Sequence, residues 1–351
     1  MRTGNLVTIG MDVSDRWSHI AVLDEQGVVL VRDRVQTKDK ALRRYFEKFE
    51  GALIAIEVGP HSLWMSRVLA DVGLEVIVAN PGKVALIHGS DRKSDEVDAE
   101  NLARLARFDP ALLYPVRQRR EDTQATLAIL RSRDVLVESR TKMVNSVRGQ
   151  VKAAGGRMPS CTTGSFHKHT EAIPELLQDA LAPLMEVIEK LNEKIAERDR
   201  LIKELCRDVY PETEMFTDID GVGALTALTY LLTIEEPGRF RSSRAVGSYL
   251  GLRPRRDQSG DVDKQLSITK AGDARMRCLL SQCANYILGP FGKDSDLRRW
   301  GLKLLARGGS GARQKAIMAV ARKLAVLMHR LWVTGEVYEP FYNANHGDQA
   351  A

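Results

Sequence analysis

Long apolar runs are missing from this 351-residue sequence: no stretch of about 18 apolar residues is present to cross a bilayer. Cysteine is scarce. The four thiols, Cys161, Cys206, Cys278 and Cys283, have no paired metal-ligand spacing and no disulfide framework, so they read as reduced bystanders. The residues Met1-Arg2-Thr3-Gly4-Asn5 run straight into a strand-like segment without the charged and apolar blocks of a secretory or transit peptide, which gives a cytoplasmic expectation. A glycine-rich ATP-binding loop is also missing, so chemistry driven by nucleotide hydrolysis has no support. The most uneven absence is that of acid in the last third. From Arg239 to Arg330 there is no glutamate, and 20 Lys/Arg stand against 6 Asp, whereas residues 1 to 100 carry 13 Lys/Arg against 16 Asp/Glu. Basic charge concentrated in this way is the footprint expected of a phosphate-backbone partner, because each neutralised phosphate releases condensed counterions.

What is present fits two or three domains. Residues 6 to 12, 19 to 24 and 28 to 32 are β-prone runs forming an antiparallel meander. A helix from Lys38 to Phe49, a buried strand Ala52 to Glu57, a helix from Ser62 to Val72 and a strand from Glu75 to Ala79 follow. Three strands and then alternating helix and strand is the order of a ribonuclease-H-like α/β domain, assigned to residues 1–120. Ser94 caps a helix that begins near Asp95. Residues 121–210 read as a long helix to Ala154, a loop, and a second helix whose apolar positions from Leu184 to Leu205 keep a coiled-coil spacing broken at Arg198. That seam suits either an antiparallel pairing within the chain or a coil between two chains. Residues 211–351 form a basic, mostly helical domain, with helices near Asp273 to Tyr286 and Ala312 to Leu331. It opens on Asp218 to Ala224, a segment like the hairpin of a helix-hairpin-helix DNA-binding element, in which Gly221 and Gly223 let backbone approach a phosphate.

Four acids carry the candidate chemistry. Asp12 ends the first strand, and Glu57 ends the strand that would lie beside it. Asp95 and Asp98, three apart at a helix start, face the same way. Each has an ordinary alternative: a turn residue for Asp12, a helix-dipole acid for Asp95, the rim of an amphipathic face for Asp98. The strand order favours one shared site. Hard oxygen donors suit Mg²⁺ or Mn²⁺ rather than zinc. Asp15, Asp91, Glu96 and Glu100 read as solvated acids, with Asp91 the alternative ligand. His167 and His169 read as solvent-exposed loop histidines, and Trp64 and Trp300 as core anchors. Downstream, Ser259 follows Arg253, Arg255 and Arg256 in what reads as a flexible loop. There guanidinium groups would clamp a phosphate. Lys270, Arg275 and Arg277 are the expected neutralisers of backbone charge nearby.

Asp12, Glu57 and Lys93-Ser94-Asp95-Glu96-Val97-Asp98-Ala99, followed far downstream by Gly251-Leu252-Arg253-Pro254 and Gln258-Ser259-Gly260, resemble the pattern of insertion-sequence 110 family transposases, shared by Piv-type DNA invertases. The resemblance covers nearly the whole chain. It implies a RuvC-like acidic domain, a helical coiled-coil middle and a carboxy-terminal transposase domain. It also implies a recombinase acting on double-stranded DNA, at element ends and target, in which Asp12, Glu57, Asp95 and Asp98 hold metal while Ser259 becomes joined to DNA. A structured guide RNA from the element and a dimer or tetramer with shared sites belong to the same implication. Val58-Gly59-Pro60-His61 departs from the family's turn after the glutamate. The alternative activities are a metal-dependent junction nuclease, in which Ser259 only binds backbone, and a Piv-like invertase. A nucleic-acid-binding protein without catalysis is the third alternative.

Overall fold

The computed structural model describes residues 7–80, 82, 94–259 and 262–343, and these divide into two compact units, residues 1–120 and 121–351. Unit 1 holds a five-stranded sheet. β1 (Thr8–Asp12), β2 (Trp17–Leu23) and β3 (Val29–Gln36) form the antiparallel meander; α1 (Asp39–Phe46) leads to β4 (Leu53–Glu57), and α2 (Ser62–Asp71) to β5 (Glu75–Ala79). The spatial order is β3-β2-β1-β4-β5, with β4 parallel to β1 and β5 parallel to β4. That order is consistent with a RuvC-like domain. β3 runs four residues beyond the expected stretch because its ladder to β2 continues to the Trp17–Gln36 pair; pairing overrides the low strand propensity of Arg32-Asp33-Arg34.

Alternation sorts the sheet into two unlike faces. Ile9, Met11, Ile20, Ile54 and Ile56 are fully or almost fully buried on one side, against Leu42 and Phe46 of α1 and Met65 and Leu69 of α2. The opposite side is lined by small residues, Gly10, Ala21, Ala55 and Ala79, and receives α3 (Asp95–Phe108). A Cβ on Gly10 would stand 2.0 Å from the Ala99 carbonyl oxygen and 2.5 Å from the Ala103 nitrogen. Only glycine there allows α3 to lie so close to β1.

Unit 2 begins with α4 (Glu121–Ala153) and α5 (Gln178–Asp208). Arg133 bonds Asp199 and Arg140 bonds Asn192, so the partner number falls as the first rises and the helices run antiparallel. Of the expected apolar positions, Ile188, Ile195 and Ile202 are buried and Leu184, Leu191 and Leu205 only partly so; Ile188 packs with Val144 and Val147, and Ile202 with Leu127 and Leu130. The two helices thus pack on each other within the chain. Between the helices, Phe166 is fully buried, and His167, expected in solvent, is half-buried with Asn192 and Glu189 as partners.

The rest of unit 2 comprises α6 (Glu214–Thr217), α7 (Ala224–Ile234), α8 (Ser243–Tyr249), a two-stranded hairpin of β6 (Pro254–Ser259) and β7 (Val262–Ile268), α9 (Ala274–Ile287), α10 (Asp296–Ala306) and α11 (Ala312–Thr334). α7 is buried on every face from Thr226 to Ile234 and lies at the centre of this core. Its Tyr230 hydroxyl donates to the Ala325 carbonyl at 2.7 Å. Its threonines Thr229 and Thr233 return their hydroxyls to carbonyls one turn back, at 2.6 Å each.

Candidate functional site

The small-residue face of the sheet is also the face that carries the acids. Asp12 follows Gly10 and Glu57 follows Ala55 by two residues, and both come directly after the Met11–Ile56 pair of the parallel β1–β4 ladder. They therefore stand side by side at one sheet edge. Above them α3 starts: Ser94 caps it by accepting from the Val97 amide at 3.3 Å, and Asp95 and Asp98 occupy its first turn. Asp98 is 7% exposed, and its Oδ1 is buried with no hydrogen-bond partner. The Asp12 carboxyl is pushed up to about 6, first by burial and then by the negative charges of Asp95, Asp98 and Glu57. The structure thus brings the four predicted acids within electrostatic reach of one another. Among the described residues, no three acid, histidine or cysteine side chains are closed round a common point as a ready cage. By donor chemistry the cluster fits a hard divalent cation: oxygen ligands, mutual repulsion, and one buried carboxylate oxygen without a partner. Asp91 lies outside the described residues.

Sequence reasoning missed several residues around this cluster. His19 on β2 is the direct cross-strand partner of Asp12, and it is the charge that draws the Asp12 carboxyl downward. The alternation that placed Asp12 also places His19, and counting inward from the β1–β2 turn is the signal that finds it. The departure at Val58-Gly59-Pro60-His61 has a local role. Trp64 Nε1 donates to His61 Nδ1 at 3.1 Å, which leaves Nε2 to donate to Asp15 Oδ1 at 2.9 Å. This relay joins the segment after Asp12 to the segment after Glu57; Asp15 is solvated as expected, its side chain 93% exposed, and it also accepts from His61. Glu100, likewise expected in solvent, accepts from Arg32 at 2.8 Å and from Arg104 at 2.7 Å, and these charges hold its carboxyl below the usual range despite its partial burial.

Ser259 does not lie in a flexible loop. It ends β6, opposite Val262 in an antiparallel ladder, and it is exposed. Gly260 beside it lies outside the described residues. The expected guanidinium clamp is only partly available. Arg256 forms a two-pronged bond to Asp263 at 2.7 and 2.6 Å, which raises the guanidinium and lowers the carboxyl, and by alternation it projects from the face opposite Ser259. Arg255 reaches the Ser267 hydroxyl at 3.3 Å. Arg275 bonds Asp134 of α4, and Arg277 donates to the carbonyls of Leu250, Ala271 and Gly272, so both have internal partners that the sequence did not reveal. Arg253 and Lys270 are exposed. Gly221, with a φ of 86°, lies where a Cβ would meet Tyr286 of α9 at 2.8 Å, so packing already demands glycine there; Gly223 has open space and precedes α7.

Comparison with known proteins agrees with this layout. Residues 9–154, which include the four acids, match a transposase family model for the acidic domain of IS110 elements, and residues 213–294, which include Ser259, match the model described as transposase IS116/IS110/IS902 family. The chain is 28% identical over 344 residues to a putative transposase, y4pF/y4sB, of Sinorhizobium fredii, covering 95% of this chain and 86% of the relative. It is 28% identical over 343 residues to the transposase for insertion sequence element IS1328 of Yersinia enterocolitica, covering 95% and 99%. A pilin gene-inverting protein of Moraxella bovis is 25% identical over 244 residues, 69% of this chain and 66% of the relative. The acidic sheet edge in unit 1, the serine-bearing basic region in unit 2 and matches in the same order along the sequence place this chain in the IS110 family of transposases.

Proposed function

We propose that this chain is a DNA recombinase that moves or inverts a mobile element by transesterification, with Asp12, Glu57, Asp95 and Asp98 holding divalent metal and Ser259 acting as nucleophile. The observation that carries the reading is the crowding of four carboxylates at one sheet edge, close enough to push Asp12 up to about 6 and with a buried Asp98 oxygen left unbonded. Such crowding costs stability in a bare protein and has a use only when positive charge arrives. The chemistry supplied there by bound Mg²⁺, or Mn²⁺, is neutralisation of charge at a scissile phosphate and stabilisation of the departing oxygen. Asp98, fixed by α3, and Asp12 and Glu57, fixed by adjacent strands, orient that site. The Ser259 oxygen forms its bond to phosphorus as the bond to the 3′ oxygen breaks; the hydroxyl proton is lost, and the 3′ oxygen takes one up. A 3′ hydroxyl from the partner duplex then displaces Ser259 and restores the phosphodiester. No net hydrolysis occurs.

A structured guide RNA and a dimer or tetramer with sites shared between subunits are part of the same proposal, on the family resemblance. Inversion in the manner of a Piv-like invertase is the alternative outcome, supported by the likeness to the pilin gene-inverting protein, whereas the longer matches are to transposases.

The test is a denaturing gel of labelled element-junction DNA incubated with the protein, Mg²⁺ and RNA transcribed from the element's flanking segment. A slow, protease-sensitive DNA band that disappears in both Ser259→Ala and Asp98→Asn is the expected result. Free cut ends that persist in Ser259→Ala would leave a metal-dependent nuclease and remove the serine from the mechanism.

A further inference from the structure

The register of the sheet draws a line of side chains across unit 1. Arg34 on β3 pairs with His19 on β2, His19 pairs with Asp12 on β1, and Asp12 stands beside Glu57 on β4. All four lie on the face that receives α3, so positive and hydrogen-bonding groups lead up to the acids from one side. Arg34 is exposed, and its guanidinium carbon lies 5.0 Å from the centre of the Trp17 ring, which is itself 39% exposed. Among the described residues no carboxylate pairs with that guanidinium. The preceding arginine on the same face, Arg32, is by contrast held by Glu100 at 2.8 Å. Between Arg34 and the acids, His19 has a buried Nδ1 with no hydrogen-bond partner.

From this row we infer that Arg34, held in place by Trp17 and followed inward by His19, is a binding arm for a DNA backbone phosphate next to the acidic cluster. The inference rests on the reading that DNA reacts at that cluster. Four acids repel a polyanion, so a duplex can settle there only if cations at the margin fix its register. Two strand spacings separate Arg34 from Asp12, about 10 Å, so the phosphate gripped by the arm is a neighbour of the reacting one. A planar guanidinium presents paired donors that match two phosphate oxygens, and stacking on an indole fixes its orientation without using those donors. Trp17 is accordingly a positioning residue.

The inference is tested by fluorescence anisotropy of labelled element-end DNA bound by the full chain in Ca²⁺, titrated over a range of salt. Arg34→Ala is expected to weaken binding roughly five- to tenfold and to reduce the slope of log affinity against log salt by about 1. Trp17→Ala should weaken binding about two- to fivefold, and Trp17→Phe should restore most of that loss, a rescue that a purely structural role would not give. Arg32→Ala removes the same charge from the same strand and should leave affinity and slope close to wild type. Equal binding and slope in Arg34→Ala, an equal loss in Arg32→Ala, or a loss confined to RNA of the same sequence would each overturn the arm. If Asp98→Asn left DNA cleavage intact, the reading of the acidic cluster would fall instead, whatever Arg34 does to affinity.

Discussion

Removing one acid from the cluster should make the protein more stable while abolishing its chemistry. The Asp12 carboxyl is pushed from 3.8 to about 6 by burial and by Asp95, Asp98 and Glu57. A shift of that size corresponds to roughly 3 kcal/mol, which solvent screening at this half-exposed group reduces to about 1–2 kcal/mol. The sign follows from proton binding. Between 3.8 and about 6 the folded state retains a proton that the unfolded chain has released, so wild-type stability falls as pH rises through that window and the loss is complete above it. Asp12→Asn has no carboxyl to titrate and relieves the other three. Its advantage over wild type should therefore be small near about pH 4 and reach about 1–2 kcal/mol near about pH 7.5, or several degrees in the melting of a unit of this size. Denaturant unfolding at the two pH values is the assay, repeated with Mn²⁺. Cation should stabilise wild type by about 2.7 kcal/mol at a hundredfold excess over its dissociation constant, and Asp12→Asn by much less. A variant less stable than wild type at the higher pH, or stabilised as much as wild type by Mn²⁺, would refute the view that these carboxylates repel one another around a cation site.

Three further outcomes follow from packing and charge. Gly10→Ala drives a methyl into the Ala99 carbonyl and the Ala103 nitrogen, so α3 must move off β1; a loss of about 2–3 kcal/mol is expected in denaturant unfolding, with weaker Mn²⁺ binding by calorimetry because Asp95 and Asp98 move with the helix. Tyr230→Phe removes the donor to the Ala325 carbonyl inside the core of unit 2 and should cost about 1–2 kcal/mol, read from the shift of the urea midpoint at constant m value. Arg253→Ala should lower DNA affinity and the salt slope more than Arg256→Ala, since Arg256 is already neutralised by Asp263; equal effects in a salt titration would show that the Arg256–Asp263 pair opens on DNA.

Much of unit 1 was legible from sequence because its signals are local. Alternation gave the strands, Ser94 gave the start of α3, and the run Glu75 to Ala79 is a strand at those bounds. The convergence of Asp12 with Glu57 followed from the order of strands, since parallel neighbours that end together put their last residues side by side. Contacts distant in sequence were not legible. His19 is seven residues from Asp12 and faces it only through the register of a hairpin; Gly10 looks like any strand glycine until Ala99 is laid over it. In unit 2 the flexible loop expected at Ser259 is instead part of a hairpin, β6 and β7, which was not legible because the segment is polar and rich in arginine and strand propensity is weak for such residues. The arginines there were assigned by proximity to Ser259 along the chain. Their partners, Asp134 on α4 and the carbonyls of Leu250, Ala271 and Gly272, come from far or from backbone, which composition does not encode.

Arg277 is committed to the root of the hairpin that carries Ser259. The hairpin root is tightly knotted: Gly251 and Gly272, each with a φ of 70°, lie where a Cβ would meet the Ala271 and Tyr249 carbonyl oxygens at 2.1 and 2.2 Å. The Lys270 amide donates to the Gly251 carbonyl at 3.1 Å, the Thr269 amide to the Arg253 carbonyl at 2.9 Å, and the Arg277 guanidinium gathers the remaining carbonyls. Backbone groups that would otherwise need water are thereby satisfied at the root, where α8, β6, β7 and α9 meet. A two-stranded ribbon is marginal alone, so the rigidity of its far end depends on this anchor. Ser259, at the end of β6, is thus exposed on a ribbon whose root is anchored. The arginine that seemed placed to meet DNA acts first on the protein's own carbonyls, and the cations available to a phosphate near the serine reduce to those, such as Arg253, that the fold leaves exposed.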